Sequence, residues 1–268
     1  MMKRIGEITA FLKNAPLEEL EALLDEYRTD EREGVQKLLV KERKRLDAWR
    51  AEKARIHELG RFEREYADYA FICGIDEVGR GPFAGPVVAG AVILPKDCEI
   101  LYINDSKKLS EKKREELYEV ICEQAVSYAV GHASPRRIDE INILQATYEA
   151  MREAVSKLSP QPDLLLNDAV TIPGIAVRQV PIIKGDAKSI SIGAASILAK
   201  VTRDREMKAY AEKYPAYGFD RNVGYGTQEH LEALRAYGPC PIHRASFIHA
   251  HVTPEDLEKL RKMQEQEA

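Results

Sequence analysis

The chain has 268 residues, of which 44% are hydrophobic and 31% are charged, and its formal net charge is −4. This length suits one large domain with an appendage or two modest domains, and the composition excludes fibrous and disordered classes. The four cysteines contain no Cys-x-x-Cys pair, which argues against a zinc ribbon or a disulfide framework and predicts a cytoplasmic protein.

Residues 1–66 are predicted to form a helical extension of two or three helices. Leu, Glu, Lys and Arg recur there at helical spacing, and β-branched alternation is almost absent. Pro16 suits a first helical position, and Asp30 with Glu33 resembles a capping box that opens a longer helix to about Glu58. The extension contains no recognisable constellation of catalytic residues.

Two features of this extension have both a plain and a functional interpretation. The basic cluster at residues 41–45 is usually a solvated helix face, but it also suits contacts with the phosphates of a duplex. Trp49 is interpreted as a packing anchor rather than as a platform on which bases stack.

Residues 67–268 are predicted to form an α/β domain, because strands alternate with helices from Tyr69 onward. Five strands are expected, at residues 70–75, 86–94, 126–131, 164–166 and 177–183. Helices are expected after Ser110, at residues 137–157 and 190–213, and from the cap Thr253 onward. The longest apolar run, residues 87–94, is too short for a membrane span, so no membrane partner is expected.

Acidic residues follow three of the predicted strands: Asp76 with Glu77, then Asp168, then Asp186. Ligands of open α/β sheets collect outside the carboxyl ends of the strands, so these four carboxylates are expected to converge. Such a cluster repels itself unless pKa values rise or a divalent cation binds, and oxygen ligands favour Mg²⁺ or Mn²⁺. Two such ions form the clamp that nucleases use for displacement at phosphorus.

A geometric objection concerns Asp76 and Glu77. Neighbouring residues of a regular strand point to opposite faces, so both side chains cannot reach one metal ion if the strand stays regular. Gly79 and Gly81 predict a bend at this point. Glu77 is therefore expected to reach the site from its edge or through its backbone carbonyl.

The glycine-rich segment at residues 79–85 does not match a dinucleotide-binding fingerprint. Its third glycine is one residue late, and a strand rather than a helix follows it. No P-loop motif occurs in the sequence. The plain interpretation is a strand connection in which glycine supplies positive φ. The functional interpretation is a loop whose backbone amides approach a polar ligand while Arg80 presents a fork of donors.

Six motifs occur in order along the chain, at residues 74–82, 105–109, 168, 184–186 with 194–204, 224–227 with His230, and 243–247. Together they resemble the bacterial ribonuclease HII family. The resemblance covers about residues 70–252. The sister family, ribonuclease HIII, typically has Gly-Lys-Gly in the glycine loop and a different N-terminal extension, so Arg80 favours type HII.

The resemblance implies a ribonuclease H-like mixed five-stranded sheet flanked by helices, to which residues 1–66 add a helical extension. It implies hydrolysis of the RNA strand of RNA–DNA hybrids and cleavage 5′ of single ribonucleotides in duplex DNA, leaving 5′-phosphate and 3′-hydroxyl ends. The acids that catalyse this reaction and hold two Mg²⁺ or Mn²⁺ ions map onto Asp76, Glu77, Asp168 and Asp186. A monomer is expected.

Seven residues are candidates for binding the substrate. The resemblance implies that the ribose is sensed by Gly79, Arg80, Gly81 and Tyr225. Tyr225 has a plain alternative as a core residue between two helices. The other candidates are lysines that either contact phosphates or only solubilise the surface: Lys107, Lys184 and Lys188.

Other positions leave the interpretation open. Asn167 departs from the family, which usually has an apolar residue there, and its polar side chain is expected to perturb the strand end. His230 is interpreted as a structural hydrogen-bonding residue rather than a catalyst. His243 and Arg244 are interpreted either as a structural link or as a wall of the substrate channel. The competing functions are a ribonuclease HIII-like hybrid nuclease and a non-catalytic nucleic-acid-binding module.

Overall fold

The computed structural model describes residues 3–266, which divide between residues 58 and 59 into two compact units. The helical sequence pattern continues to about residue 66, so its last part belongs to the second unit. Within residues 3–266 no helix has the length and apolar character needed to cross a bilayer.

The first unit is built from three helices: α1 (Ile5–Asn14), α2 (Leu20–Glu26) and α3 (Glu33–Leu59), whose last residue begins the second unit. Buried aliphatic side chains from all three form its core: Ile8, Leu12, Leu20, Leu24, Val35, Leu38 and Leu46. Trp49 packs against this cluster, which confirms its interpretation as a packing anchor. These contacts explain why leucines recur at helical spacing in this part of the sequence.

Two local expectations for this unit are wrong. Pro16 does not open a helix, because its carbonyl accepts from the amide of Glu19 in a turn and α2 begins only at Leu20. Asp30 forms no capping box with Glu33. Its carboxylate instead accepts hydrogen bonds from the backbone and guanidinium of Arg32, at 3.1 and 2.9 Å.

The second unit contains a mixed five-stranded sheet, as predicted. Its strands are β1 (Ile72–Val78), β2 (Val87–Ile93), β3 (Ser127–Ala133), β4 (Leu164–Asp168) and β5 (Arg178–Ile182). They lie in the order β3-β2-β1-β4-β5. The first three strands pair antiparallel, whereas β4 and β5 run parallel to β1. The carboxyl ends of β1, β4 and β5 therefore lie at one edge of the sheet.

Helices flank this sheet. They are α4 (Arg61–Glu65), α5 (Glu111–Gln124), α6 (Pro135–Ile141), α7 (Ile143–Ser156), α8 (Ile190–Lys213), α9 (Phe219–Asn222), α10 (Gln228–Tyr237), α11 (Ala245–Ile248) and α12 (Pro254–Gln266). The expected caps are confirmed, since Ser110 accepts from the amide of Lys113 and Thr253 accepts from that of Asp256. The single helix predicted at residues 137–157 is wrong, because Asn142 has φ 71° and separates α6 from α7.

The longest helix of this unit, α8, packs closely on one face of the sheet. A Cβ atom on Gly74 would lie 2.1 Å from the carbonyl carbon of Ser191, so only glycine permits this approach of strand and helix. On the other face, Ala150 and Met151 of α7 pack in one cluster with Cys73 and Ile75 of β1. The sheet edge that carries the acidic residues is therefore held rigidly from both sides.

Candidate active site

The structure brings Asp76 and Asp168 to neighbouring positions on parallel strands. Ile75 of β1 pairs with Asn167 of β4, so the residue after each lies at the same level of the sheet. Strand β1 continues one residue beyond the acidic pair to Val78, so Asp76 and Glu77 lie within the strand rather than after it. Asp168 is the last residue of β4.

Asn167 does not perturb this strand end. Its side chain is fully buried, and its amide nitrogen donates to Gln179 Oε1 at 2.7 Å and to the carbonyl of Val170 at 3.1 Å. Strand β4 continues through Asp168, with Asn167 paired to Pro181 of β5. The polar residue thus anchors β4 to the strand beside it, and the expected perturbation is wrong.

Asp186 comes four residues after the end of β5, in a 3-10 turn at Gly185–Ala187. The amide of Gly185 donates to Oδ1 of Asp168 at 2.7 Å, which ties this turn to the end of β4. Burial, followed by the negative charges of Asp105 and Asp168, raises the pKa of Asp186. Asp186 therefore belongs to the same group of interacting carboxylates.

Asp76 is the most buried of the four acids, with 7% of its surface exposed. Burial, followed by the charge of Glu77, raises its pKa to about 8, although Ser196 donates a hydrogen bond that favours the ionised form. The Ser196 hydroxyl also lies 3.0 Å from that of Ser106. The carboxyl is thus held in a protein environment that disfavours its charge unless a cation compensates it.

Glu77 joins the cluster although it neighbours Asp76 on the strand. Burial raises its pKa, the Arg80 guanidinium 3.2 Å away lowers it in part, and the charge of Asp168 raises it again. The side chain of Asp76 turns back and accepts from the Glu77 amide at 2.8 Å. The negative charge of Asp168 therefore raises the pKa of both carboxylates. The alternation of side chains along the strand does not separate Glu77 from the cluster.

The donor set of this cluster fits a hard divalent cation. All four side chains supply only carboxylate oxygens, and their mutual repulsion is the kind that Mg²⁺ or Mn²⁺ relieves. Among residues 3–266, no three His, Cys, Asp or Glu side chains already stand as a metal cage.

Three basic side chains predicted to contact the substrate differ in their surroundings. Lys107 is exposed, and its ammonium lowers the pKa of both Glu77 and Asp186, so it faces the acidic cluster. Lys184 and Lys188 are exposed on the turn that carries Asp186, where Lys184 has φ 57°. Lys107 therefore interacts with the acidic cluster, whereas Lys184 and Lys188 flank the turn beside it.

The glycine loop at residues 79–85 begins directly after β1. Gly79 has φ 89°, and a Cβ atom there would lie 2.3 Å from Nε of Arg203, so both conformation and space require glycine. The amides of Phe83 and Ala84 donate to the carbonyl of Gly224. The loop is thereby joined to the turn that carries Tyr225.

Tyr225 lies on the surface beside this loop. Its exposed fraction is 49%, so the interpretation as a core residue is wrong. Its Cε1 atom lies 3.5 Å from the position that a Cβ atom on Gly81 would take. An exposed aromatic ring and the exposed loop residues Arg80 and Gly81 therefore form one surface.

Two buried histidines support the Tyr225 turn, and the hydrogen bonds fix their tautomers. The amide of Cys240 donates to Nδ1 of His243 at 3.0 Å, so the proton of His243 is on Nε2. That proton is donated to Nε2 of His230 at 2.9 Å, which leaves Nδ1 of His230 to donate to the carbonyl of Tyr225 at 2.9 Å. This chain confirms His230 as a structural hydrogen-bonding residue.

Several contributors to the site were not singled out from the sequence. Asp105 acts on the pKa of Asp186, Ser196 bonds Asp76, and Arg203 lies under the glycine loop. Asp105 stands in a motif with Lys107, which was a usable signal. Ser196 and Arg203 lie on α8 far from β1 in sequence, so only the packing of this helix on the sheet reveals their roles.

Comparison with known proteins decides the family. The family model described as Ribonuclease HII matches residues 73–250, and the one described as Ribonuclease HII N-terminal domain matches residues 4–67. The chain is 63% identical to a ribonuclease HII of Lachnoclostridium phytofermentans, over 91% of this chain and 96% of that protein. The chain belongs to the ribonuclease HII family. Membership makes it a ribonuclease H, an enzyme that acts on RNA–DNA hybrids.

Other members of the ribonuclease HII family support this assignment. A ribonuclease HII of Clostridioides difficile is 52% identical over 92% of this chain and 97% of its own length. Among solved structures, the ribonuclease H2 of Pyrococcus horikoshii has a TM-score of 0.58 and 30% identity, and covers 72% of this chain and 99% of its own. The ribonuclease HII of Archaeoglobus fulgidus, solved in complex with PCNA, has a TM-score of 0.57 and 29% identity, over 69% and 99% of the two chains.

Proposed function

We propose that this ribonuclease H hydrolyses the RNA strand of RNA–DNA hybrids and also cuts 5′ of single ribonucleotides embedded in duplex DNA. The products would carry 5′-phosphate and 3′-hydroxyl ends. The observation that carries the proposal is the group of four carboxylates at one sheet edge, where burial, followed by the charges of Glu77 and Asp168, raises the pKa of Asp76 to about 8. A polyanionic substrate gains nothing from such a group unless cations bind with it, which favours an enzyme over a binding module.

We propose that Asp76, Glu77, Asp168 and Asp186 hold two Mg²⁺ or Mn²⁺ ions. Bound there, the ions would supply activation of a water molecule and stabilisation of the leaving 3′ oxygen. The protein's own part is to fix the direction of each carboxylate: Ser196 bonds Asp76, and the amide of Gly185 bonds Asp168. Arg80 keeps Glu77 at the border of the cluster through their 3.2 Å ion pair.

The surface around this cluster suits a nucleic acid strand. Lys107, Lys184 and Lys188 are exposed cations that would contact phosphates on either side of the acids. The amides of Gly79, Arg80 and Gly81 would approach the ribose, whose 2′-hydroxyl alone distinguishes it from DNA. Tyr225 would pack against the following sugar, where an added hydroxyl would collide. We further propose that the enzyme works as a cytoplasmic monomer.

The test is cleavage of a labelled RNA–DNA hybrid by the Asp76→Asn variant in Mg²⁺. Turnover should fall by several orders of magnitude, because one ion loses a charged ligand. Thermal stability without Mg²⁺ should stay equal or rise, since repulsion within the cluster decreases. Mg²⁺ should raise the melting temperature of the wild type more than that of the variant, because only a bound ion stabilises the folded state.

The matched control is Asp97→Asn, which removes an exposed carboxylate of the same unit. This control should keep both turnover and the Mg²⁺ response of the melting temperature. Near-wild-type cleavage by Asp76→Asn in Mg²⁺ would exclude the proposed metal centre.

A further inference from the structure

Two buried arginines lie beneath the glycine loop. Arg203 is 1% exposed and Arg244 is fully buried. Among residues 3–266, every hydrogen bond that either guanidinium donates ends on a backbone carbonyl. Two positive charges are thus held inside the protein by peptide dipoles rather than by carboxylates.

This arrangement is costly for stability. Taking a cation out of water is penalised, because the protein interior replaces its hydration only in part. Burial, followed by the like charge of Arg203, lowers the pKa of Arg244 to about 9. A role of the two arginines in fixing the conformation of the glycine loop would explain why they are buried.

The contacts of Arg244 fix the direction of the peptide groups in this loop. Its Nη2 donates to the carbonyl of Gly79 at 2.5 Å, and its Nη1 donates to that of Arg80 at 2.9 Å. Its Nε donates to the carbonyl of Gly85 at 3.0 Å, so one guanidinium joins both ends of the loop. The first and last carbonyls of the loop are therefore directed inward.

Because these peptide bonds are trans, each amide points away from the carbonyl of its own peptide group. The N–H groups of Arg80 and Gly81 are accordingly directed away from Arg244, and both residues are exposed. Within residues 3–266 neither N–H donates to a protein acceptor. A cation at the carbonyl end of a peptide group also strengthens its N–H as a donor.

Arg203 fixes the neighbouring parts of the same surface. It donates to the carbonyls of Ala84 and Pro86 on the returning arm of the loop, at 3.1 and 2.9 Å. It also donates to the carbonyl of Val223 at 3.0 Å, two residues before Tyr225. The loop and the Tyr225 turn thus share one buried anchor.

We propose that Arg244 is a positioning residue that aims the backbone amides of Arg80 and Gly81 at the sugar-phosphate of the scissile nucleotide. This inference rests on the proposed function, which places the ribose at this loop. The arginine itself does not touch the substrate. It prepares two donors in advance, so that little reorganisation is needed when the strand arrives.

The test compares Arg244→Lys with a matched control, Gln264→Ala. Lysine keeps the charge but cannot bridge three carbonyls in one plane. Gln264 donates to the carbonyls of Pro241 and His243, so its loss loosens the same chain segment without touching the loop. Cleavage of a single-ribonucleotide duplex is measured as kcat and KM. In a second measurement, the amide signals of Arg80 and Gly81 are followed by NMR while that duplex is added in EDTA.

For Arg244→Lys we expect kcat to fall about 100-fold, because small misplacement of a reacting group is costly, while KM changes less than about threefold. Both amide signals should shift in the wild type and in Gln264→Ala, and the shifts should be lost in Arg244→Lys. Gln264→Ala should lose thermal stability yet keep kcat.

Three results would overturn the inference. They are a wild-type kcat for Arg244→Lys, a loss of kcat in Gln264→Ala that follows its loss of stability, and amide signals that do not move in the wild type. The last result is decisive even if the lysine variant does not fold. The metal centre is tested separately, by cleavage with Asp76→Asn in Mg²⁺. The amide measurement is made in EDTA and does not depend on a bound metal ion.

Discussion

At the scale of single residues, Tyr225 is proposed to pack against the sugar that follows the ribonucleotide. Its ring is half exposed and lies against Gly81, while its backbone is held by His230. Tyr225→Ala should therefore reduce cleavage of a single-ribonucleotide duplex far more than it reduces duplex affinity, because the ring positions the scissile phosphate. The measurement is kcat on this duplex beside its dissociation constant.

A continuous RNA–DNA hybrid provides the comparison substrate, and Tyr237→Ala provides a control variant at another exposed tyrosine, which is 70% exposed against 49% for Tyr225. Tyr237→Ala should leave both activities unchanged. A loss of thermal stability in Tyr225→Ala large enough to explain its loss of activity would contradict a role in substrate positioning.

The buried pair His230 and His243 makes stability depend on pH. Burial, followed by the neighbouring His230, lowers the pKa of His243 to about 3 from its ordinary value of 6.5. Between pH 6.5 and pH 3 the unfolded chain takes up a proton at this histidine and the folded protein does not. The free energy of unfolding therefore has its full contribution from His243 above pH 6.5 and loses it as the pH falls toward 3.

The carboxyl of Asp76 has a raised pKa and acts in the opposite direction, so the total slope of stability with pH is not informative. The informative quantity is the loss of unfolding free energy in His243→Gln relative to the wild type, since the groups that do not contact His243 cancel. This loss should shrink by about 2 kcal/mol between pH 7 and pH 5, because the variant lacks the titrating group.

Urea unfolding at the two pH values gives this difference. Phe219→Leu serves as the control, because Phe219 packs against both histidine rings and does not titrate. Its loss of unfolding free energy should be the same at both pH values. An equal loss for His243→Gln at pH 7 and pH 5 would show that the imidazole is not kept neutral in the folded state.

At the scale of secondary-structure elements, the short helix α4 secures the start of α8. Glu63 Oε1 accepts from the hydroxyls of Ser189 and Ser191, at 2.6 and 2.5 Å, and from the amide of Ser191 at 3.1 Å. A carboxylate near a helix N-terminus is stabilised by the helix dipole. Since Ser189 follows Asp186 by three residues, this contact also supports the turn that carries Asp186.

Glu63→Ala should destabilise the protein by about 1–3 kcal/mol, because it leaves buried donors without an acceptor. Glu65→Ala, an exposed position on the same helix, should change stability by less than about 0.5 kcal/mol. Thermal unfolding of both variants checks this prediction. Equal stability of the two variants would mean that α4 does not secure α8.

At the scale of the whole molecule, a net charge of −4 conceals local positive charge on the first unit. Two of the four basic side chains at residues 41–45 already form ion pairs within the first unit. Arg43 pairs with Glu21, and Arg45 pairs with Glu42 while donating to the carbonyls of helix α1 and the residue after it. Lys41 and Lys44 are exposed and remain as candidate phosphate contacts.

The double variant Lys41→Ala, Lys44→Ala should bind a duplex with a shallower dependence on salt than the wild type. Loss of two phosphate contacts should reduce the slope of log affinity against log salt by about 1.8. A chain that begins at Leu59, which keeps Glu63, should show at least this reduction and retain cleavage.

Affinity measured at several salt concentrations checks the prediction. Lys37→Ala is the control, because Lys37 lies on the same helix but pairs with Glu33 at 2.7 Å. An unchanged slope in the double variant would leave the first unit without a role in duplex binding.

The sequence by itself determined the class of fold and the order of the five strands along the chain, and it placed Asp76, Asp168 and Asp186 near the ends of three of them. These features depend on local pattern: apolar runs, turn residues and short motifs occur within a few residues of one another. Helix α8 was predicted with its observed bounds because its helical pattern is a local signal. The motif at residues 184–186 likewise lies at a single turn, and that at residues 74–82 lies within one strand and the loop that follows it.

Only the tertiary structure decided which distant groups act on these residues. Arg244 and Gly79 are 165 positions apart, and Glu63 and Ser191 are 128 apart. The exposure of Tyr225 and the break at Asn142 also depend on packing against other elements. The physical reason is that burial, pKa and hydrogen-bond direction depend on neighbours in space, and a local sequence pattern does not specify which neighbours those are.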